Sequence, residues 1–221
     1  YKEKGGSEVN WDYVQNYIAG QKKVNATLVN AAGLGVEYLI NFANYTSSIY
    51  SENGFGEIFN FNFLTEEEGK GLGSYVKGKY DLFLALVNED KTHRYYGSGK
   101  GASQLNINAF TEGWDGKNWI SFVNLGLFTS KGKQRDWEVG YVIAHEFLHQ
   151  LLQKADFHLN GISPSETIYD GHRSVPYINL NTDGKSRDLH RALNLGPCAG
   201  MTCTWILPEQ SNLIYQFLNQ K

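Results

Sequence analysis

Apolar residues near the start of the chain recur at helical spacing. Trp11, Val14 and Ile18 share a face, Ser7 can cap the segment and Gly20 stops it. A packing helix is predicted there. Residues 25–50 are apolar without a clean period, Gly33 and Gly35 interrupt them, and residues 36–49 read as a second helix. Residues 57–64 alternate Phe59, Phe61 and Phe63 with Asn60 and Asn62, the period of a half-buried strand. Residues 65–78 are acidic and then glycine-rich, which reads as a loop. Residues 81–88 are apolar at successive positions, as an interior strand requires, and residues 91–96 read as a return beside it. Residues 103–110 alternate again. Residues 118–128 form a further strand, reached through Trp114-Asp115-Gly116-Lys117, where Asp-Gly favours a tight turn. Four or five strands therefore precede the next helical stretch.

That stretch, with Asp136 as its N-cap and a run over residues 137–155, contains Tyr141-Val142-Ile143-Ala144-His145-Glu146-Phe147-Leu148-His149. At about 3.6 residues per turn, His145 and His149 fall on one face and can grip one ion. Neutral imidazole is a good Zn²⁺ ligand, and two such ligands leave positions for a third protein group and a water. Glu146 stands beside them and can take a proton from water that the metal activates, then pass it to a leaving amine. The alternative is a pair of hydrogen-bonded core histidines with a surface glutamate. The apolar company of Val142, Ile143, Phe147, Leu148, Leu151 and Leu152 favours the metal. Two imidazoles and a carboxylate buried there need partners, and one cation satisfies all three.

Composition narrows the classes. At 221 residues, 41% hydrophobic and 14% aromatic, the chain can bury a core as one catalytic domain with an N-terminal lobe over about 1–155 and a C-terminal lobe over about 156–221. A net charge of −3 offers no basic footprint for nucleic acid. No apolar run approaches the ~20 residues of a membrane span, so no membrane insertion is expected. The glycine clusters at residues 69–73 and 97–101 complete neither a dinucleotide nor a P-loop fingerprint. The chain starts at Tyr1 without a signal-peptide-like segment, and is read as processed, shortened or part of a larger protein. Cys198 and Cys203, four residues apart, suit a short disulfide loop in an exported protein.

A mixed sheet followed by a helix bearing His145-Glu146-Phe147-Leu148-His149 resembles the N-terminal half of a zincin metallopeptidase. The resemblance implies an α+β fold: a mixed, mostly antiparallel twisted sheet, the active-site helix, and a smaller, irregular or helical C-terminal lobe. It implies that His145 and His149 bind catalytic zinc, that Glu146 is the general base, and that a peptide substrate lies antiparallel to an edge strand. The metzincin continuation would need Gly at position 152 and His at position 155, where this chain has Leu152 and Ala155. A later residue must then swing back to complete the site. His158 is the nearest imidazole and is expected to be the third ligand, with Asp156 as rival and His172 and His190 more remote. Glu166 would suit another zincin arrangement, but Ser163-Pro164-Ser165-Glu166 is also a capping box. Met201, between the two cysteines and followed by a helix over residues 208–219, resembles a Met-turn beneath the metal. Residues 185–195 read as a short helix before it. Tyr169 could stabilise an oxyanion, although any of the 14 tyrosines can equally serve packing.

The expectation is a secreted, zinc-dependent endopeptidase acting on protein or peptide. The competing readings are a zincin-fold binding or toxin-like module whose metal is structural or lost, and a metal hydrolase of a non-peptide amide.

Overall fold

Residues 24–30, which carry no clean period, form the strand from which the sheet grows. The computed structural model describes residues 8–20, 22–69, 78–88, 109–114, 118–125, 129–130, 133–134, 136–164, 166–167 and 206–220. Strand β1 (Val24–Asn30) pairs in parallel with β2 (Phe59–Thr65) on one side and with β3 (Asp81–Val87) on the other. Strand β4 (Ala109–Trp114) is antiparallel to β5 (Asn118–Asn124), and β5 runs parallel to β3. The order is β2-β1-β3-β5-β4.

The chain is therefore mixed α/β, and the mostly antiparallel sheet that the resemblance implied is corrected: among the described residues of the five-stranded sheet, only the β4–β5 pair is antiparallel. The reason lies in β1, which alternates Val24, Ala26 and Leu28 inward until Val29 is buried as well. With β1 unread, the helix α2 (Val36–Tyr50) cannot be seen as the crossover that parallel neighbours β1 and β2 require. The hairpin expected across Trp114 to Asn118 is present, with those two residues as its last register pair.

Strand β3 is interior, as its continuous apolar run predicts. Leu82, Leu84 and Leu86 face the main core, while Phe83, Ala85 and Val87 join Val29, Ala31 and Phe122 in a second cluster on the opposite face. The helix α1 (Trp11–Gly20) ends at Gly20 as expected, but its buried face differs from the expectation. Val14 and Tyr17 point inward, whereas Trp11 and Ile18 are 71% and 60% exposed. Tyr17 wins the inner position because its ring packs on Phe55 while its hydroxyl donates to the Phe55 carbonyl at 2.9 Å. The acidic stretch read as loop opens with a helical turn, α3 (Glu66–Gly69). Thr65 and Glu68 form a capping box: the Glu68 N–H donates to Thr65 Oγ1 at 3.3 Å, and the Thr65 N–H to Glu68 Oε2 at 2.8 Å. The Thr65 N–H, and then the Thr65 hydroxyl donating to the same Oε2 at 2.9 Å, hold the Glu68 carboxyl below its usual range.

Two short strands, β6 (Thr129–Ser130) and β7 (Lys133–Gln134), pair just before α4 (Asp136–Asn160). The last helix, α5 (Pro208–Asn219), has its expected bounds, with Pro208 in the first turn and Gln210 Oε1 accepting from the Leu207 N–H at 2.9 Å. Ile214, Tyr215, Phe217 and Leu218 of α5 belong to the same core as α1, α2, α4 and the sheet. Among the described residues, no helix is long and apolar enough to cross a membrane. The expectations for residues 91–96, 103–108 and 185–195, and for Tyr169, Cys198, Met201 and Cys203, lie outside the described residues.

Helix α2 packs along α4 at unusually short range. A Cβ on Gly140 would stand 2.5 Å from Tyr45 Cβ and 3.1 Å from the Phe42 carbonyl, so the contact admits only glycine. Two hydroxyls from α2 then reach successive turns of α4. Thr46 Oγ1 donates to the Gly140 carbonyl and Tyr50 Oη to the Ala144 carbonyl, each at 3.0 Å. Gly140→Ala is expected to force the helices apart and lower stability by about 1–3 kcal/mol, read as a shifted denaturant midpoint at unchanged slope.

Burial raises the hydroxyl of Tyr17 from 10.0 to about 12, and raises those of Tyr50 and Tyr215 as well. For an acid whose folded pKa is raised, the stabilising contribution is complete below the unfolded value and lost as pH climbs beyond it. Unfolding is therefore expected to set in above pH 10 and to bring these tyrosines into titration together. Tyrosinate absorbance rising in step with loss of the circular dichroism signal would show it, and titration ahead of unfolding would not.

Candidate metal centre

Nothing in α4 breaks the helix before Gly161, so it continues past residue 155 to Asn160. Gly161 adopts φ +69°, and the amides of Gly161 and Ile162 turn back to the carbonyls of Phe157 and Asp156. Sixteen residues of α4, from Val139 to Asp156, are buried. The buried hydrophobic ones, Ile143, Phe147 and Leu151 among them, all belong to the main core, where the Phe147 ring lies 5.6 Å from Phe59 and 6.4 Å from Phe61, centroid to centroid.

On another face, one turn apart, stand His145 and His149. Both are buried, and their Nε2 atoms are 3.2 Å apart with the ring planes at 80°. Two imidazole nitrogens at ~2.0–2.1 Å from a tetrahedral ion are separated by about 3.3–3.4 Å, so the pair stands within a few tenths of an ångström of a bidentate grip. A direct N–H···N hydrogen bond would also suit that distance. Glu146 distinguishes the two arrangements, because the purely structural one expects it at the surface and it is only 3% exposed. The spacing thus brings the two imidazoles together, and Glu146 is buried on the same turn of the helix.

The expected third ligand is not brought to them. His158 follows His149 by nine residues on the same unbroken helix, which puts it about 13 Å further along the axis and half a turn around. It is exposed and stacks on Phe217 of α5 at 5.7 Å and 20°. Burial, and then Lys79 and Lys154 nearby, push its pKa below the usual histidine value. Placing His158 in the site required the helix to stop near residue 155. Asp156 faces the same side as His149 but lies about 10 Å along the axis. Its carboxylate accepts from Thr167 Oγ1 and from Asn160 Nδ2, the latter at 3.2 Å, so it fastens the chain that follows the helix. Glu166 is exposed in the turn where the amides of Glu166 and Thr167 donate to the Ser163 carbonyl. Among the described residues, no group of three or more His, Cys, Asp or Glu could hold a metal. His172 and His190 lie outside them.

Among the described residues, strand β4 is the edge of the sheet on the side where α4 packs across β3, β5 and β4. Two surface grooves among the described residues lie elsewhere. One of about 500 Å³ is lined by Trp11, Val14, Ile18 and Tyr215, and one of about 310 Å³ by Tyr17, Lys22, Phe55 and Glu57. Neither touches the histidine pair. Sequence reasoning missed the polar residues that fix α4 in place, Gln150 and Lys154. Their signal is two polar side chains one turn apart among the apolar residues of the helix.

Comparison with family models, with curated proteins and with solved structures gave no match to this chain.

If His158 serves packing alone, His158→Ala should change zinc affinity by less than about twofold, whereas His149→Ala should lower it by several orders of magnitude. Competition against a chromogenic chelator measures both. A large loss in His158→Ala would require α4 to end earlier than it does.

Proposed function

We propose that this protein is a zinc-dependent endopeptidase of the zincin type, with His145 and His149 as metal ligands and Glu146 as general base. The observation that carries the reading is the 3.2 Å separation of the two Nε2 atoms beside a buried carboxylate on the same turn of helix. The donor set suits zinc, which prefers nitrogen and oxygen ligands in tetrahedral geometry. When bound, the ion supplies Lewis acidity toward a scissile carbonyl and toward water. The chain's own residues do the rest. Glu146, held within the fold, takes the proton that water gives up and delivers it to the leaving amine, so no acyl-enzyme is needed. The edge strand β4 offers backbone groups to an extended peptide, which would bring its carbonyls past the helix.

The third ligand must come from outside α4 and the turn that follows it, since His158, Asp156 and Glu166 are turned away or already bonded. His172 and His190 are the imidazoles to test. A structural metal, or a non-peptide amide as substrate, would leave the same pair of histidines with a different outcome in the assay.

Glu146→Gln should keep about one zinc per chain and lose roughly 10²–10⁴-fold in cleavage of an unfolded protein substrate. Chelation should abolish wild-type cleavage and zinc restore it. Wild-type protein that loads zinc without cleaving a broad peptide library would favour the structural-metal or non-peptide reading. Retained cleavage in Glu146→Gln would remove Glu146 from its role.

A further inference from the structure

Gln150 follows His149 directly and lies one helical turn beyond Glu146. Its side chain is fully buried, and none of its polar atoms is used within α4. Oε1 accepts the Phe83 N–H at 3.2 Å, while Nε2 donates to the Phe83 carbonyl at 2.8 Å and to Ser121 Oγ at 2.6 Å. The β3–β5 ladder begins at Leu84↔Ser121, so Phe83 lies one residue beyond it. The carboxamide therefore bonds Phe83 as a neighbouring peptide unit would, from a helix. One turn further on, Lys154 Nζ donates to the carbonyls of Asp81 and Gly78, the latter at 3.1 Å. Burial, opposed by Asp81, brings that ammonium down to about 8.

These contacts fix different things. Hydroxyls of α2 hold α4 from one side, but each makes a single bond to a helix carbonyl and allows the helix to roll about its axis. A planar carboxamide bonded at both ends to one residue, and laterally to a neighbouring strand, does not. Rolling α4 would swing His145, Glu146 and His149 together, because all three are within five residues of Gln150. We propose that Gln150 is a positioning residue: its carboxamide, docked on Phe83 and Ser121, sets the rotation of α4 and thereby the placement of the His145–Glu146–His149 group relative to the sheet. The proposal rests on the metallopeptidase reading for its functional consequence, and on the metal-free protein for its structural one.

Two substitutions separate the bonds from the bulk. Gln150→Met keeps the volume and removes all three hydrogen bonds. Gln150→Glu, when neutral, can still donate to the Phe83 carbonyl and accept from its N–H, and burial favours that neutral form. In folded Gln150→Met, zinc affinity should fall about 10–100-fold and kcat should fall with KM little changed, as for other groups that orient a ligand. In Gln150→Glu, affinity relative to wild type at the same pH should approach unity at the acidic end and drop to the Gln150→Met level as pH rises. Zinc affinity unchanged in folded Gln150→Met would overturn the proposal. The crystal structure of metal-free Gln150→Met provides the independent arm. A rolled or displaced α4, moving the histidines by about 1 Å against β3 and β5, supports it, and an unmoved helix overturns it. Should the wild-type protein take up no zinc, the metallopeptidase reading fails by that result alone, and this arm still decides the role of Gln150. If Gln150→Met does not fold, the same measurements on Gln150→Glu across pH decide between the two outcomes.

Discussion

Burying polar side chains on α4 is the constraint around which the fold is arranged. His145, Glu146, His149, Gln150, Gln153, Lys154 and Asp156 are all carried into the interior on one helix. A polar group moved from water without a partner costs several kcal/mol, and a charge more. Such a helix is stable only where its neighbours present bonding groups at the right places. Strand β3 does so with the backbone of Phe83 and Asp81, β5 with Ser121, and the segment after the helix with Thr167. The apolar residues between them fill the core, and the two requirements together leave the helix one seat.

That seat explains the order of the sheet. Strand β3 must be central, because α4 bonds its backbone from one face while Val29, Ala31 and Phe122 cover Phe83, Ala85 and Val87 on the other. A strand buried on both faces tolerates no alternation, so its sequence is continuously apolar. The parallel neighbours follow from the crossover through α2, whose own position is set by the close approach at Gly140. Helix α5 then seals the lower core, with Tyr215 stacked on Phe55 at 4.5 Å and its hydroxyl bonded to the Gly54 carbonyl at 3.0 Å. Gly54 itself holds φ +92° in the π-helical turn Ser51–Phe55, a conformation most side chains would resist.

Much of this is legible in the sequence, for identifiable reasons. Strand β3, the β4–β5 hairpin and helix α5 announce themselves by local period or turn chemistry, which depends on few neighbours. The histidine pair is legible because i, i+4 spacing fixes a shared face whatever surrounds it. Strand β1 is not, since its inward residues Val24, Ala26 and Leu28 run into Val29 and Ala31, and the period breaks where the strand becomes buried on both faces. The face of α1 is not legible either. Trp11 outweighs Tyr17 in hydrophobicity, yet only Tyr17 has a carbonyl to meet. His158 was a reasonable ligand for a helix ending at Ala155, but the helix end is set by Gly161 and its returning amides, a signal six residues later. Glycine inside a long apolar helix, as at Gly140, marks a close approach that hydrophobic patterning alone does not register.

The choice between a metal and a hydrogen bond for the histidine pair turns on what α4 does with its other polar residues. Gln150, Lys154 and Asp156 meet backbone or hydroxyl groups of the surrounding elements, and each thereby ties the helix to something else. The 3.2 Å contact between His145 and His149 lies within one helix. As a structural device it adds little, because two residues one turn apart are already held by the helix backbone, and a valine or leucine at either place would bury more cheaply. Glu146, next to His145 in the chain, is likewise drawn inside instead of facing water. Under the proposed metallopeptidase reading, a cation held by the two imidazoles offsets the cost of burying them.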